Sequence, residues 1–227
     1  MPTLDNDGDV WILHLGDDEN RFNPDWMTAV SDALDEVVAK PEPRALVTTA
    51  AGKIWSNGLD LDWLSQNQDR VQEFVEQVHD LLAKFLVAPL PTVAAVQGHC
   101  FAGGAMLALA HDWRVMRADR GYFCLPEADI NIPFTPGMSS LIQSKLTPAV
   151  ATATMVGAKR IGGEEAAAAR IVDAAVPEDQ VLARAVELAA THAPKLGSTL
   201  GTIKQRMHAA AHGLLTDPAA NSLFAEA

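Results

Sequence analysis

The amino-acid sequence predicts an α/β fold, because short apolar runs typical of strands alternate with segments whose apolar residues recur at helical spacing. This alternation occupies the first two thirds of the chain, and the remaining third is rich in alanine with a helical pattern. The 227 residues are 48% hydrophobic and 20% charged. This length and composition predict one compact domain with a substantial core.

The first unit is a strand over residues 10–15 followed by a helix. Asn23 and Pro24 supply an N-cap and a first-turn proline for that helix. Its apolar residues then recur every three or four positions, namely Trp26, Met27, Val30, Leu34, Val37 and Val38. A strand followed by a helix is therefore the opening unit of the fold.

The second unit is a strand over residues 44–50, a glycine-bearing turn over 55–60 and a helix that ends before Pro89 and Pro91. The helix has one apolar face, made by Val71, Phe74, Val75, Val78, Leu81, Leu82 and Phe85. A third unit follows, with a strand over 92–96, a glycine-rich run over 97–105 and a helix over 106–110.

Two further strands are predicted over residues 113–116 and 122–125. The pattern after Pro136 is helical, and the segment from Gly197 predicts a terminal pair of helices. That pair carries the apolar residues Ile203, Met207 and Leu214.

Composition excludes several classes of function. The net charge of −12 disfavours nucleic acid and anionic membranes, since both bind basic surfaces. The acidic amino terminus lacks a basic segment followed by an apolar stretch, and no window reaches transmembrane length. Cys100 and Cys124 form no disulfide framework, and the histidines do not cluster as metal ligands. We therefore expect a cytoplasmic protein without a metal.

The run from Gln97 to Ala105 is the most informative motif. It joins an apolar strand to an apolar helix, with glycines at the junction. A helix N-terminus leaves backbone N–H groups without partners, and glycine lets a ligand oxygen approach them closely. The run therefore predicts a site that stabilises an oxyanion.

Four segments, in this order along the chain, resemble the crotonase (enoyl-CoA hydratase/isomerase) superfamily. They are Ser56-Asn57-Gly58-Leu59-Asp60-Leu61, Pro91-Thr92-Val93-Ala94-Ala95-Val96-Gln97-Gly98, Ala102-Gly103-Gly104-Ala105 and Leu125-Pro126-Glu127-Ala128-Asp129-Ile130. The resemblance covers residues 10–210, and the ordered set is more specific than any single glycine pair.

The resemblance implies a spiral of ββα units over residues 1–195 and a helical segment over 196–227 that packs on the core or on a neighbouring subunit. It also implies a homotrimer or a dimer of trimers. The substrate would be an acyl-CoA thioester, with coenzyme A belonging to the substrate and no separate cofactor. The thioester oxygen would lie between the backbone N–H groups of Leu59 and Gly103.

The residues expected to contact substrate on the same grounds are Ser56, Asn57, Gly58, Asp60, Leu61, Gly104 and Met106. Several have an alternative interpretation. Asp60 is expected to cap the following helix, and Met106 to fill the core or the acyl-pocket wall. The glycines could serve close packing alone. Trp63, Phe101 and Phe134 are expected in the core, and Lys204 and Arg206 on a solvated helix face rather than at a phosphate.

Carboxylates separate the branches of this superfamily. Its hydratases use two glutamates to activate water, and the first of these positions holds Met106 here, which cannot transfer a proton. The second position holds Glu127. One carboxylate is enough to move a proton from C2 to C4 of a 3-enoyl thioester through a dienolate. The sequence therefore predicts a Δ3,Δ2-enoyl-CoA isomerase in which burial raises the pKa of Glu127.

Two alternatives remain open. A hydratase or thioester hydrolase would need another residue, such as Asp129 or Thr135, to supply the missing group. A catalytically silent acyl-CoA-binding protein would keep the fold without the chemistry.

Overall fold

The computed structural model describes residues 1–41 and 43–220, so residues 221–227 of the predicted carboxy-terminal segment lie outside the described part. Within those residues the strands are β1 Thr3–Asp7, β2 Val10–His14, β3 Arg21–Phe22, β4 Ala45–Thr49, β5 Ile54–Ser56, β6 Gly58–Leu59, β7 Thr92–Val96, β8 His99–Phe101, β9 Trp113–Arg117, β10 Phe123–Cys124 and β11 Ala174–Val176.

The helices in the same part of the chain are α1 Pro24–Ala39, α2 Leu61–Gln66, α3 Val71–Leu86, α4 Gly103–Ala110, α5 Glu127–Ile130, α6 Pro136–Lys145, α7 Pro148–Ala151, α8 Gly163–Ala168, α9 Val181–His192, α10 Ser198–Met207 and α11 Ala209–Leu215. Short 3₁₀ turns cover Gln68–Arg70, Glu178–Gln180 and Pro218–Ala220, and a π-helical turn covers Thr152–Val156.

The strands form three sheets, and the chain winds between them. The large sheet has the order β1-β2-β4-β7-β9-β11, and the smaller ones have the orders β10-β8-β5 and β3-β6. After each strand of the series β2, β4, β7 and β9, the next strand joins a small sheet and a helix follows. This is the spiral of ββα units that the resemblance implies.

The predicted elements of the first two thirds are confirmed. The side chain of Asn23 accepts a hydrogen bond from the N–H of Trp26 at 3.0 Å, with Pro24 in the first turn of α1. Six strands were not predicted, namely β1, β3, β5, β6, β8 and β11. β1 is a polar, acidic strand that pairs antiparallel with β2 across a turn at Gly8, where φ is +61°. β11 is a three-residue edge strand inside the alanine-rich region that we expected to be helical.

The core lies on both faces of the large sheet. One face packs against α1, α3 and α4, with large buried side chains such as Trp55 and Phe85. The other face packs against α9 through small side chains, including Ala185 and Ala189. The terminal helix pair is confirmed, and α11 contacts α6 and α3.

The prediction that Lys204 lies on a solvated helix face is wrong. Its side chain is 3% exposed, and its Nζ lies 2.5 Å from Oδ2 of Asp112 and 2.7 Å from the carbonyl oxygen of Leu90. Arg206, on the same helix, is exposed. The spacing of apolar residues could not predict that Lys204 is buried. Asp112, which compensates its charge, lies far away in the sequence.

Candidate active site

The glycine run places a free backbone donor at the start of α4. The N–H of Ala102 donates to the carbonyl oxygen of Cys124 at 3.0 Å, and its φ of +51° is a strained value for alanine. Gly103 is the first residue of the helix, and a first-turn N–H has no carbonyl partner within its own helix. The sharp backbone turn at Ala102 therefore leaves the Gly103 N–H available to a ligand.

The second turn, Ser56 to Asp60, is held in place by its own side chains. The Ser56 hydroxyl donates to the carbonyl oxygen of Asn20 at 2.8 Å and accepts from the N–H of Gly58 at 3.1 Å. The N–H of Asp60 donates to the carbonyl oxygen of Phe22 across the β3–β6 ladder. Since successive N–H groups of a strand point to opposite sides, the N–H of Leu59 points away from β3.

The two turns touch, and only glycine permits this contact. A Cβ on Gly58 would lie 2.5 Å from the backbone nitrogen of Gly103, and φ at Gly58 is +74°. A Cβ on Gly104 would lie 2.6 Å from the carbonyl oxygen of Ser56. This close approach brings the backbones that carry the Leu59 and Gly103 donors side by side.

Both donor residues line one cavity of about 480 Å³. The cavity is enclosed by β5, β6, β8 and α4 on one side and by α5 with the segment that follows it on the other. Its lining residues are Arg21, Ile54, Asn57, Leu59, Leu61, Asp62, His99, Phe101, Ala102, Gly103, Met106, Pro126, Glu127, Ile130, Ile132, Pro133 and Met138. Most of this wall is apolar, so charged groups inside it are poorly solvated.

Glu127 is the buried carboxylate of this cavity. It begins α5, is 6% exposed, and its Oε2 has no hydrogen-bond partner. Burial raises the pKa of Glu127 from the usual 4.5 to about 7. At neutral pH this side chain can therefore both accept and donate a proton.

Met106 lies on the same cavity and is 2% exposed. The resemblance assigns its position to the first of the two hydratase glutamates. Neither open alternative for that role lines the cavity. Asp129 is exposed. Thr135 is buried, caps α6 by accepting from the N–H of Met138, and lies 2.8 Å from Nε2 of His79.

Three other ionisable side chains line the cavity. Asp62 has a side chain that is 80% exposed, and its Oδ2 lies 2.6 Å from Nη1 of Arg21. His99 has an unpartnered Nδ1, and burial, followed by the charges of Arg120 and Arg160, lowers its pKa. Among these groups, Glu127 alone is a buried carboxylate without a cationic partner.

The substrate-contacting residues expected from the sequence divide into two groups. Asn57, Leu61 and Met106 line the cavity together with Leu59 and Gly103. Four others do not line it and have structural roles, namely Ser56, Gly58, Asp60 and Gly104. The N-cap role expected for Asp60 is confirmed, since its Oδ1 accepts from the N–H of Trp63 at 3.0 Å.

Several cavity residues escaped sequence reasoning. Arg21 comes from the two-residue strand β3, which is too short to give a periodic signal. Ile132 and Pro133 lie in the irregular segment after α5, and Met138 lies in the first turn of α6. Phe101, expected in the core, lines the cavity, whereas Trp63 and Phe134 pack against the core.

Within residues 1–41 and 43–220, no three His, Cys, Asp or Glu side chains are grouped so as to hold a metal ion. No helix in the same residues is long and apolar enough to cross a bilayer. Cys100 and Cys124 are buried and free. The absence of a metal from the working protein stays a prediction.

Comparisons with known proteins agree with the motifs. Residues 10–222 match the family model described as enoyl-CoA hydratase/isomerase. The chain is 35% identical to enoyl-CoA delta isomerase 3 of Arabidopsis thaliana, with 92% of each protein covered, and 32% identical to a putative enoyl-CoA hydratase of Thermus thermophilus, with 87% of this chain and 80% of that protein covered. An enoyl-CoA isomerase structure from Mycobacterium tuberculosis superimposes with a TM-score of 0.87 at 25% identity, covering 94% of this chain and 93% of that one. The chain therefore belongs to the enoyl-CoA hydratase/isomerase family, the crotonase superfamily, and is an enzyme of that kind.

Proposed function

We propose that this enzyme converts a 3-enoyl-CoA to the conjugated 2-enoyl-CoA, with Glu127 as the only proton carrier. One observation carries the proposal. A buried carboxyl with a pKa of about 7 and no partner at Oε2 shares a largely apolar cavity with Leu59, whose N–H points away from β3, and with Gly103, whose N–H is in the first turn of α4. Relatives named as enoyl-CoA delta isomerases support the same reaction.

In the first step, the Glu127 carboxylate takes a proton from C2 of the substrate. The C–H electron pair forms a C1–C2 double bond, and the carbonyl electrons move onto the thioester oxygen. The N–H groups of Leu59 and Gly103 donate to this oxygen as its negative charge develops. Losing one such preorganised donor costs about 3 kcal/mol of transition-state stabilisation.

In the second step, the protonated Glu127 returns its proton to C4. The oxygen's electron pair re-forms the carbonyl, the C1–C2 electrons move to C2–C3, and the C3–C4 electrons take the proton. The carboxylate is regenerated and the product is conjugated with the thioester. A pKa near the working pH suits a group that must both accept and donate a proton.

Water addition lacks a second buried carboxylate among the described residues of this cavity. Met106 cannot take a proton, and the Asp62 carboxylate is solvated and paired with Arg21. A hydratase would need one of these positions to orient water opposite Glu127. The arrangement therefore favours proton transfer within the substrate over hydration.

Absorbance of the conjugated enoyl thioester tests the proposal directly. With 3-hexenoyl-CoA the purified enzyme should raise this absorbance, and with 2-hexenoyl-CoA it should leave it nearly constant. A fall with the 2-enoyl substrate and no rise with the 3-enoyl substrate would identify a hydratase and overturn the proposal. A flat trace with both substrates would equally reject it, in favour of a silent acyl-CoA-binding protein.

We further propose a homotrimer or a dimer of trimers in the cytoplasm, with coenzyme A entering only as part of the substrate. The exposed apolar side chains of Ile203 and Met207 on α10, 54% and 63% exposed, support a subunit contact there. The reaction needs proton transfer only, so no further cofactor is proposed. A mass of one chain in sedimentation equilibrium would reject the proposed trimer. Recovery of the protein from another compartment after fractionation of the source cells would reject the cytoplasmic location.

A further inference from the structure

A second cavity, separate from the catalytic one, is lined by three lysines. It has a volume of about 320 Å³ and lies between the end of α6, the start of β9 and helix α10. None of its described lining residues lines the catalytic cavity. Lys145, Lys195 and Lys204 line it together with one carboxylate, Asp112. In a chain with a net charge of −12, this cavity therefore holds a local excess of positive charge.

The cations beside this cavity compete for few acceptors. The Nζ of Lys145 and the Nη1 of Arg114 donate to the same carbonyl oxygen, that of His111, at 3.2 and 3.0 Å. Asp112 accepts from Nζ of Lys204 at 2.5 Å. Within the part of the chain that the structure describes, no carboxylate forms an ion pair with Lys145. Lys145 is therefore the cation of this cluster that lacks a counter-ion.

The excess charge can be released at Lys145 alone. A buried cation without a counter-ion is costly and can lose its proton. Arginine does not lose its proton in proteins, and Arg114 has Asp173 at 3.8 Å. Lys204 has the Asp112 carboxylate. Burial, followed by the charge of Arg114, lowers the pKa of Lys145 to about 7. At pH 7 about half of the Lys145 amines are therefore neutral, with a free electron pair.

We propose that Lys145 is a nucleophilic amine that accepts acyl groups from acyl-CoA thioesters. A lysine that is desolvated beside another cation is an arrangement that activates an amine for attack on a carbonyl carbon. The family to which this chain belongs acts on acyl-CoA thioesters, so the enzyme meets this class of electrophile. The proposal goes beyond isomerisation, because it requires neither a double bond in the substrate nor Glu127.

The acyl transfer is a simple displacement at the thioester carbon. The Nζ electron pair forms a C–N bond, the C–S bond breaks, and coenzyme A leaves as a thiolate. One amine proton passes through water to this thiolate. The products are an amide on Lys145 and the free thiol of coenzyme A. The amide is uncharged, so acylation removes the unpaired cation from the cluster permanently.

The expected rate follows from the fraction of neutral amine. An ordinary exposed lysine has a pKa of about 10.4, so about one amine in 2,500 is neutral at pH 7. A less basic amine is a weaker nucleophile, which reduces the advantage of Lys145. We therefore expect Lys145 to be acetylated by acetyl-CoA at least about tenfold faster than Lys195 at pH 7. Lys195 is the internal reference, because it lines the same cavity but is exposed.

The pH dependence of acetylation gives a second readout. The charges that act on Lys145 come from Arg114, Asp112, Lys204 and Asp173, and His208 lies close enough to sense it. Burial lowers the pKa of His111 to about 3 and that of His208 to about 4, so neither changes its charge between pH 6 and 9. His192 also lines the cavity. The Lys145 rate should level off above about pH 8, whereas the rate at an exposed lysine should keep rising about tenfold per pH unit.

Peptide mass spectrometry of the purified enzyme after incubation with acetyl-CoA from pH 6 to 9 measures both rates. The enzyme is used in its assembled state, because Ile203 and Met207, proposed above for a subunit contact, also line this cavity. Lys145→Arg should remove most of the acetyl label acquired at pH 7, and Lys195→Arg, the matched control, should leave it unchanged. Acetylation of Lys145 no faster than that of Lys195, or a Lys145 rate that rises in parallel with it to pH 9, would overturn the proposal. Since acetyl-CoA has no double bond to move, neither result bears on the proposed isomerase activity.

Discussion

Two shielded carboxylates of this protein have opposite surroundings. Asp112 is 11% exposed in its side chain, and its Oδ2 has three donors: it accepts from the N–H and hydroxyl of Thr92 at 2.9 and 3.1 Å and from Nζ of Lys204 at 2.5 Å. Glu127 is 6% exposed, yet its Oε2 has no partner. One carboxylate is neutralised by its neighbours, and the other is left unsatisfied in a cavity.

The difference separates a structural group from a catalytic one. An unpaired buried carboxylate costs free energy, which the fold reduces by raising its pKa rather than by pairing it. A paired carboxylate joins elements, as Asp112 joins β7 to α10 through Thr92 and Lys204. We therefore expect substitutions at the two positions to affect different properties of the protein.

The largest expected effect is on turnover, from Glu127→Gln. Glutamine keeps the size of the side chain but cannot carry the proton, so kcat for 3-hexenoyl-CoA should fall by about 10²–10⁴-fold. Asp129→Asn is the control, because it removes an exposed carboxylate from the same short helix. Stopped-flow or steady-state absorbance measures kcat of both variants. A kcat near that of the wild type in Glu127→Gln would show that Glu127 is not the proton carrier.

Asp112→Asn should instead destabilise the protein. It leaves the ammonium of Lys204, 3% exposed, without a charged partner, and breaking a buried ion pair in this way costs about 3–5 kcal/mol. Urea unfolding measures the decrease in the free energy of unfolding. The kcat of the folded fraction should stay close to that of the wild type. The double variant Asp112→Asn/Lys204→Met should recover most of the stability, and failure to do so would show that pairing is not what Asp112 contributes.

A smaller effect separates the backbone donor from the carboxyl. Gly103→Pro removes one N–H at a first helical position, where proline is otherwise tolerated. Gly103→Ala is the control, because it keeps the N–H and adds a Cβ as proline does. That Cβ would lie 3.3 Å from the Phe22 ring in both variants. We expect kcat of the proline variant to be about 10²–10³-fold below that of the alanine variant. Equal kcat values, with melting temperatures confirming that both fold, would exclude this donor from the reaction.

Local signals in the sequence were enough to predict the four central strands of the large sheet and the helices α1, α3 and α4. Period changes and the Asn23-Pro24 cap predicted the strand and helix units as far as α4. β1 escaped because its residues are polar and its pairing depends on a two-residue turn. β3, β5, β6, β8 and β11 escaped because runs of two or three residues carry no period. These strands are specified by their partners in the sheet.

The site was predicted less completely, for a similar reason. Glu127, Leu59 and Gly103 lie in ordered motifs, so sequence reasoning could name them. The cavity walls come from residues far apart along the chain, such as Arg21 and Met138, and only their packing brings them together. Lys204 was misplaced because its partner, Asp112, lies 92 residues away.

The pH dependence of kcat/KM for 3-hexenoyl-CoA tests the central claim most directly. The base must be ionised to take the C2 proton, and burial raises the pKa of Glu127 to about 7. The rate should therefore rise with pH through about 7, and at pH 5 it should be about a hundredfold below its plateau at pH 9. A profile that is flat from pH 5 to 9, or that reaches its plateau near the ordinary glutamate pKa of 4.5, would contradict the assignment of a buried, unpaired Glu127 as the base.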